Sequence, residues 1–267
     1  MMSRFYKNLT LVATILLLSA CSVLNGSNKT ADSTIDSTTS MQALYQEAQK
    51  DLGNSNYIAA VEQLESFQVR FPFADLAKDA QLDLAYAYYR NGDREESITT
   101  VNRFIRENPR HEKIDYAYYL RGLTYFKPET QGTKKWLGID QAKRPPHNDQ
   151  MSYTYFERLI EKFPDSVYSA DAAVKLNLLR NRLARYELNI ASYYFQRQAY
   201  VAAGRRLEYL IETYPGAPST IEANAMLIEV YQQLDLPALA QTSDDIVQSN
   251  RDELPASDKP VLRNRWW

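Results

Sequence analysis

Cysteine is almost absent from this 267-residue chain: Cys21 is the only one, so no disulfide forms within it and no cysteine cluster holds a metal. Histidine is nearly as scarce. His111 and His147 stand alone, neither at ligand spacing with another His or a Cys. Eight glycines over the whole length leave little room for a phosphate-cradling loop, and no Gly-rich fingerprint occurs. The paired acids Glu95-Glu96 and Asp244-Asp245 read as solvated helix faces. With no catalytic constellation, cofactor motif or metal set in view, the chain reads as non-enzymatic. Basic charge is not in excess: 31 Lys and Arg stand against 33 Asp and Glu, which argues against nucleic acid as a partner. A membrane-spanning run is missing too, because the one apolar stretch, Leu9 to Leu18, is too short to cross a bilayer stably.

That short stretch has a different use. Arg4 and Lys7 precede it and Leu18-Ser19-Ala20-Cys21 closes it, the layout of a secretory signal. Its end resembles a bacterial lipoprotein box, which implies that residues 1–20 are removed and that Cys21 carries covalent lipid. The other reading makes Cys21 incidental to a plain signal peptide. Several acyl chains exceed the two-signal threshold for stable anchoring. Ser22 stands where an Asp, by the sorting rule the resemblance implies, favours inner-membrane retention, so the expected site is the periplasmic face of the outer membrane. Loss of Arg4 and Lys7 leaves 29 basic and 33 acidic residues. From Ser22 to Ser40 the chain is rich in Ser, Thr, Asn and Asp and reads, with Cys21, as a disordered tether over 21–40, able to span roughly 60 Å at most.

From Met41 onward the sequence repeats itself. The stretch Leu82 to Pro109 reads as two helices around a turn at Asn91-Gly92-Asp93, with Ala85 and Ser97 as small residues at the crossing. Counting back from the Pro that ends each unit, a small residue stands twelve positions earlier: Ala60, Ser97, Ser152 and Ala203, before Pro72, Pro109, Pro164 and Pro215. Eight positions earlier come Leu64, Val101, Phe156 and Leu207; five earlier, Phe67, Phe104, Leu159 and Leu210. A fifth unit without the Pro uses Leu227, Tyr231, Ala240 and Val247. This register resembles the tetratricopeptide repeat. The expected fold is all-α, a superhelix of about five such helix-turn-helix repeats. Each hairpin leaves one side bare, and the next must cover it.

The spacing also shows where the array departs from regularity. Gly122 and Ser152 are 30 residues apart where Ala85 and Ser97 are 12, so an insertion occupies about 127–144 and includes Trp136, either a docking loop or a packed flap. Between Pro164 and Pro215 the chain stays helical for longer than one repeat needs, which divides an N-terminal block, 41–164, from a C-terminal block, 165–250. Residues 251–267 read as an irregular tail ending in Arg263-Asn264-Arg265-Trp266-Trp267, either disordered or bound to a partner.

By resemblance to the repeat family, the concave surface is lined from fixed positions of each first helix. Those positions hold Tyr45 and Leu52 in repeat one, Asp79, Leu82, Tyr86, Tyr89 and Arg90 in repeat two, and Tyr116, Tyr119, Leu123, Phe126 and Lys127 in repeat three. One reading is an amphipathic peptide groove, in which rings give contact area and cations hold a carboxylate. The other has these tyrosines packing against the next repeat.

More specific motifs narrow the family. Leu82-Asp83-Leu84 with Tyr86-Ala87-Tyr88-Tyr89, Arg103-Phe104-Ile105-Arg106 with Asn108-Pro109, Arg121-Gly122-Leu123-Thr124, Gly138-Ile139-Asp140, Arg182-Leu183-Ala184, and Tyr193-Tyr194 with Arg197 and Tyr200-Val201-Ala202 resemble the BamD/ComL family, tetratricopeptide lipoproteins of the outer-membrane β-barrel assembly machinery. The resemblance covers Met41 to about Ser249 as well as the lipoprotein box. It implies a scaffold that docks on the periplasmic domains of the barrel-forming subunit BamA, joins accessory lipoproteins, and helps deliver unfolded outer-membrane protein precursors. It further implies that the N-terminal repeats meet the precursor's C-terminal segment and that Arg197 makes a charged contact with the barrel subunit; Trp136 is a second candidate contact. The rival reading is a periplasmic tetratricopeptide lipoprotein that scaffolds cell-wall synthesis or division.

Overall fold

A computed structural model of the chain describes residues 32–128 and 145–253, and among them every regular element is an α-helix. The helices are α1 (Asp32–Gly53), α2 (Tyr57–Arg70), α3 (Ala77–Asn91), α4 (Arg94–Glu107), α5 (Ile114–Tyr125), α6 (His147–Lys162), α7 (Ser169–Gln196), α8 (Tyr200–Thr213), α9 (Ser219–Gln233) and α10 (Pro237–Glu253). Taken in pairs they make five helix-turn-helix repeats of the tetratricopeptide kind. The chain divides into two compact units at Ala77 and Lys78, so α1 and α2 form the first and the repeats from α3 onward form the second. The signal segment, the insertion around Trp136 and the final tail lie outside the described residues.

Pro and small residues set the register, as their spacing implied. The residue before each Pro is barred from the helical region by the proline ring, so Phe71, Asn108, Phe163 and Tyr214 all close their helices with φ between −123° and −134° and ψ between 51° and 61°. Each of these backbone N–H groups still donates to the carbonyl four residues back, at Phe67, Phe104, Leu159 and Leu210. Twelve positions before each Pro, the small residue is fully buried in every repeat, and so are the apolar residues at eight and five. Fully burying such a Leu, Val or Phe contributes about 1.5–3 kcal/mol relative to exposure, so the eight large apolar positions together carry much of the core.

Two serines show why small residues stand there. Ser97 Oγ donates to the Ala85 carbonyl at 2.9 Å and Ser152 Oγ donates to the Gly122 carbonyl at 3.0 Å, which joins the two helices of each hairpin backbone to side chain. Only a short side chain lets the axes approach closely enough for that bond. In the fourth repeat Ala191 and Ala203 are both fully buried.

Three hairpin turns place a residue other than glycine in the left-handed region. Ser55, Gln198 and Asp235 adopt positive φ of 62°, 60° and 58°, matching Gly92 at 97°. Each stands just after its first helix, and the following N–H reaches back to close a six-residue ring: Asn56 to Asp51, Asp93 to Tyr88, Ala199 to Tyr194 and Leu236 to Tyr231. Glycine is thus used once for a geometry required four times, and the break after α7 carries no Gly or Pro to mark it. A difference from the sequence reading is α1, which begins at Asp32, inside the stretch read as tether. Once the amphipathic part nucleates a helix, extending it into polar sequence costs little.

Candidate binding faces

The expected groove residues separate into three groups. Leu82 does not line a surface: it is 1% exposed and sits in the core with Ala85, Val101 and Phe104. Its place on α3 turns it inward because the neighbouring Ala85 is the crossing point, and this corrects the assignment made from repeat positions. Tyr45 belongs to the first unit, half-buried with its ring 5.7 Å from Phe67. The remaining residues, Tyr86, Tyr89 and Arg90 on α3 and Tyr116, Tyr119 and Phe126 on or just after α5, belong to the second unit.

On α3 the rings of Tyr86 and Tyr89 lie 6.4 Å apart and tilted, and the Arg90 guanidinium caps them, 5.6 Å from the Tyr86 centroid with Nη1 donating to the Tyr86 hydroxyl at 2.5 Å. Burial pushes the Tyr89 hydroxyl up from its ordinary pKa, against the pull of Arg90. Across from them, Tyr116 and Tyr119 are half-buried against the next repeat. Tyr119 stacks on Tyr168 at 5.0 Å with 20° between planes, Tyr116 meets Tyr168 at 5.3 Å, and Phe126 packs edge-on to Phe156 at 6.1 Å. All four tyrosines are partly buried against the core of the second unit, as the packing reading has it, and Arg90 at the end of α3 is exposed beside them.

Three residues that join this face were not in the sequence-derived set. Tyr168 stands at the start of α7, and Asp171 and Lys175 follow on its first turns. Asp171 accepts hydrogen bonds from the Tyr119 hydroxyl and the Lys175 ammonium, while Lys175 also lies 5.8 Å from the Tyr119 centroid and 5.6 Å from that of Phe126. Partial burial would raise the Asp171 pKa, but its two donors outweigh that and hold it low; burial and the bond to Asp171 push Tyr119 up. Burial raises Tyr116 likewise, helped by Tyr86 and Asp83. At neutral pH the face thus presents phenols beside the exposed Arg90 guanidinium at one end and the Asp171–Lys175 ion pair at the other, and its Arg90 end is suited to an aromatic side chain beside a carboxylate. The signal for the missing residues is the i, i+4 pair Asp171 and Lys175. That pair does not by itself reveal Tyr119, which lies 52 residues away in sequence.

A second face lies at the end of α7. Arg197 is its C-cap, exposed, with its guanidinium 4.6 Å from the centroid of Tyr193, a residue 51% exposed. Val201, Arg205 and Tyr209 follow one another at four-residue spacing on α8, all exposed. Beside them an open concavity of about 610 Å³ is lined by Tyr194, Tyr200 and Leu234 among others. Exposed aromatics with arginines are the composition of an interface centre. Trp136 and Cys21 lie outside the described residues, and among those described no helix is long and apolar enough to cross a membrane and no His, Cys, Asp or Glu cluster could hold a metal ion.

The profile of the YfiO family, described as outer membrane lipoprotein, matches residues 37–246. The chain is 35% identical over 263 residues to the outer membrane protein assembly factor BamD of Neisseria meningitidis serogroup B, covering 98% of each chain. It is 36% identical over 233 residues to the protein of that name in Vibrio cholerae serotype O1, covering 87% of this chain and 96% of the other. The matched region takes in both faces and the repeats that build them, and the chain belongs to the YfiO family of outer membrane lipoproteins, the family of the assembly factor BamD.

Proposed function

We propose that this protein is a non-enzymatic scaffold of the outer-membrane β-barrel assembly machinery, held by lipid on Cys21 at the periplasmic face of the outer membrane. The α3 face receives the C-terminal segment of an unfolded outer-membrane protein precursor, and the Arg197 face docks on the periplasmic domains of the barrel subunit BamA, with accessory lipoproteins joining the same complex. The family membership supports the assembly role over a part in cell-wall synthesis or division. What carries the division of labour is the pairing of Tyr86 and Tyr89 with Arg90 on one side and of Tyr193 with Arg197 on another. The first pairing suits a chain end that presents an aromatic ring and a carboxylate together. The second suits a folded partner with an acidic patch.

A photocrosslinking amino acid placed at Tyr89 and, separately, at Arg197 tests this in cells. Capture of newly made barrel precursors from position 89 and of the barrel subunit from position 197 is the expected result. Capture of neither class, or of cell-wall synthases from both positions, contradicts it.

A further inference from the structure

On the face of α5 turned away from the aromatic groove, Arg121 is clamped between two rings, its guanidinium carbon 4.7 Å from the centroid of Tyr118 and 4.4 Å from that of Tyr155 on α6. It is 8% exposed. A guanidinium carries five N–H donors. Among the described residues Arg121 makes one long hydrogen bond, 3.4 Å from Nη1 to Asn102 Oδ1, and its Nε is buried without a partner. Burial holds its pKa below the ordinary value, and the charged side chain acting on it is another cation, Arg158. Cation–π contact with two rings offsets part of the desolvation cost but leaves the hydrogen bonds unmade. A buried charge in a stable fold is normally paired, so a guanidinium held this way lacks an anion.

The rim has the matching sign. Arg158 and Lys162 are exposed on the same side of α6, one turn apart, and Lys162 Nζ donates to the Tyr118 hydroxyl at 3.1 Å. We propose that Arg121, with Arg158 and Lys162 at the rim, forms a seat for the carboxylate of an acidic segment of a protein partner. A planar carboxylate on a slender side chain fits the guanidinium edge between two rings and takes two donors at once. A phosphate-bearing lipid surface fits less well: Glu157 and Glu161 are exposed on the adjoining stripe of α6 and would oppose an anionic plane. The seat is separate from both faces described above and does not depend on their assignment.

The test titrates the full-length protein in detergent micelles with a fluorescein-labelled hexaglutamate peptide, followed by anisotropy, with glycerophosphoglycerol and inorganic phosphate as competitors. Arg121→Met, and independently Arg158→Gln with Lys162→Gln, weaken peptide binding by about tenfold or more, the size of a lost charge-assisted contact. A charge-matched control with Lys78→Gln and Arg185→Gln, exposed cations on α3 and α7, keeps the wild-type affinity. If Arg121→Met does not fold, the Arg158 and Lys162 variant decides alone. Unchanged affinity in the rim variant, an equal loss in the control, or displacement by glycerophosphoglycerol at concentrations below those of the peptide overturns the proposal.

Discussion

Replacing Arg182 by methionine lowers the stability of the second unit by about 3–5 kcal/mol, the usual cost of breaking a buried ion pair from one side. Arg182 on α7 meets Asp149 in the first turn of α6 at 2.9 Å, with side chains 7% and 15% exposed. Its two terminal nitrogens also reach the Lys127 carbonyl, each at 3.3 Å. One guanidinium thus ties the residue that leaves α5 to the helix that resumes the repeat, across the longest connection in the array. Methionine fills the space and leaves Asp149 as a buried, unpaired anion. Urea unfolding of wild type, Arg182→Met, Asp149→Asn and the double variant measures this. The double variant is expected to be more stable than Arg182→Met alone, because it removes the stranded charge. A loss under 1 kcal/mol for Arg182→Met would mean that the pair is solvated and holds nothing together. Because Phe126 adjoins Lys127, the same substitution should also loosen the far wall of the aromatic face.

Alanine at Gly122 has the other large effect. A Cβ there would lie 2.5 Å from Phe156 Cε1 and 2.6 Å from Cδ1, and that ring is fully buried against α5. No methyl group fits without moving the ring. Overpacking of this kind costs about 1–3 kcal/mol, which for a unit this size is a fall of several degrees in Tm. Phe156 also touches Tyr119 at 5.9 Å and Phe126 at 6.1 Å, so a displaced ring propagates into the aromatic face. Gly204 supplies the contrast: its Cβ would meet only Val230 Cγ1, at 3.3 Å. Gly204→Ala is expected to be near neutral, since better helix propensity of about 1 kcal/mol offsets a small adjustment. Thermal unfolding followed by circular dichroism separates the two variants. Equal midpoints for both would contradict the packing described.

How much of this was legible beforehand depends on which residues enforce geometry. Proline and small residues do so locally, and the twelve positions counted from Pro72, Pro109, Pro164 and Pro215 are all fully buried. The hairpin turns were legible at Gly53 to Asn56 and at Gly92, where turn-forming residues cluster. At Gln198 and Asp235 tertiary packing imposes a left-handed residue that the sequence does not advertise, a local preference overruled by the fold. The candidate face was half legible. The lining positions implied by the repeat family put Tyr86, Tyr89 and Arg90 together, and they share one helix. It misplaced Leu82, since a lining position inferred from a repeat pattern says nothing of how closely the neighbouring helix approaches. It missed Tyr168, Asp171 and Lys175, because their meeting with Tyr119 and Phe126 is made by two elements about fifty residues apart.

The measurement closest to the central claim is the affinity of the full-length protein for a peptide from a precursor C-terminus, ending in phenylalanine with a free carboxylate. It is compared with the amidated peptide and with the Tyr86→Ser, Tyr89→Ser double variant, whose helicity is checked in parallel. Binding should fall about tenfold or more in each comparison while helicity holds, since each removes one half of the ring-and-cation recognition that Arg90 and its neighbours supply. Equal affinity for both peptides and both proteins would mean that this face does not receive precursors.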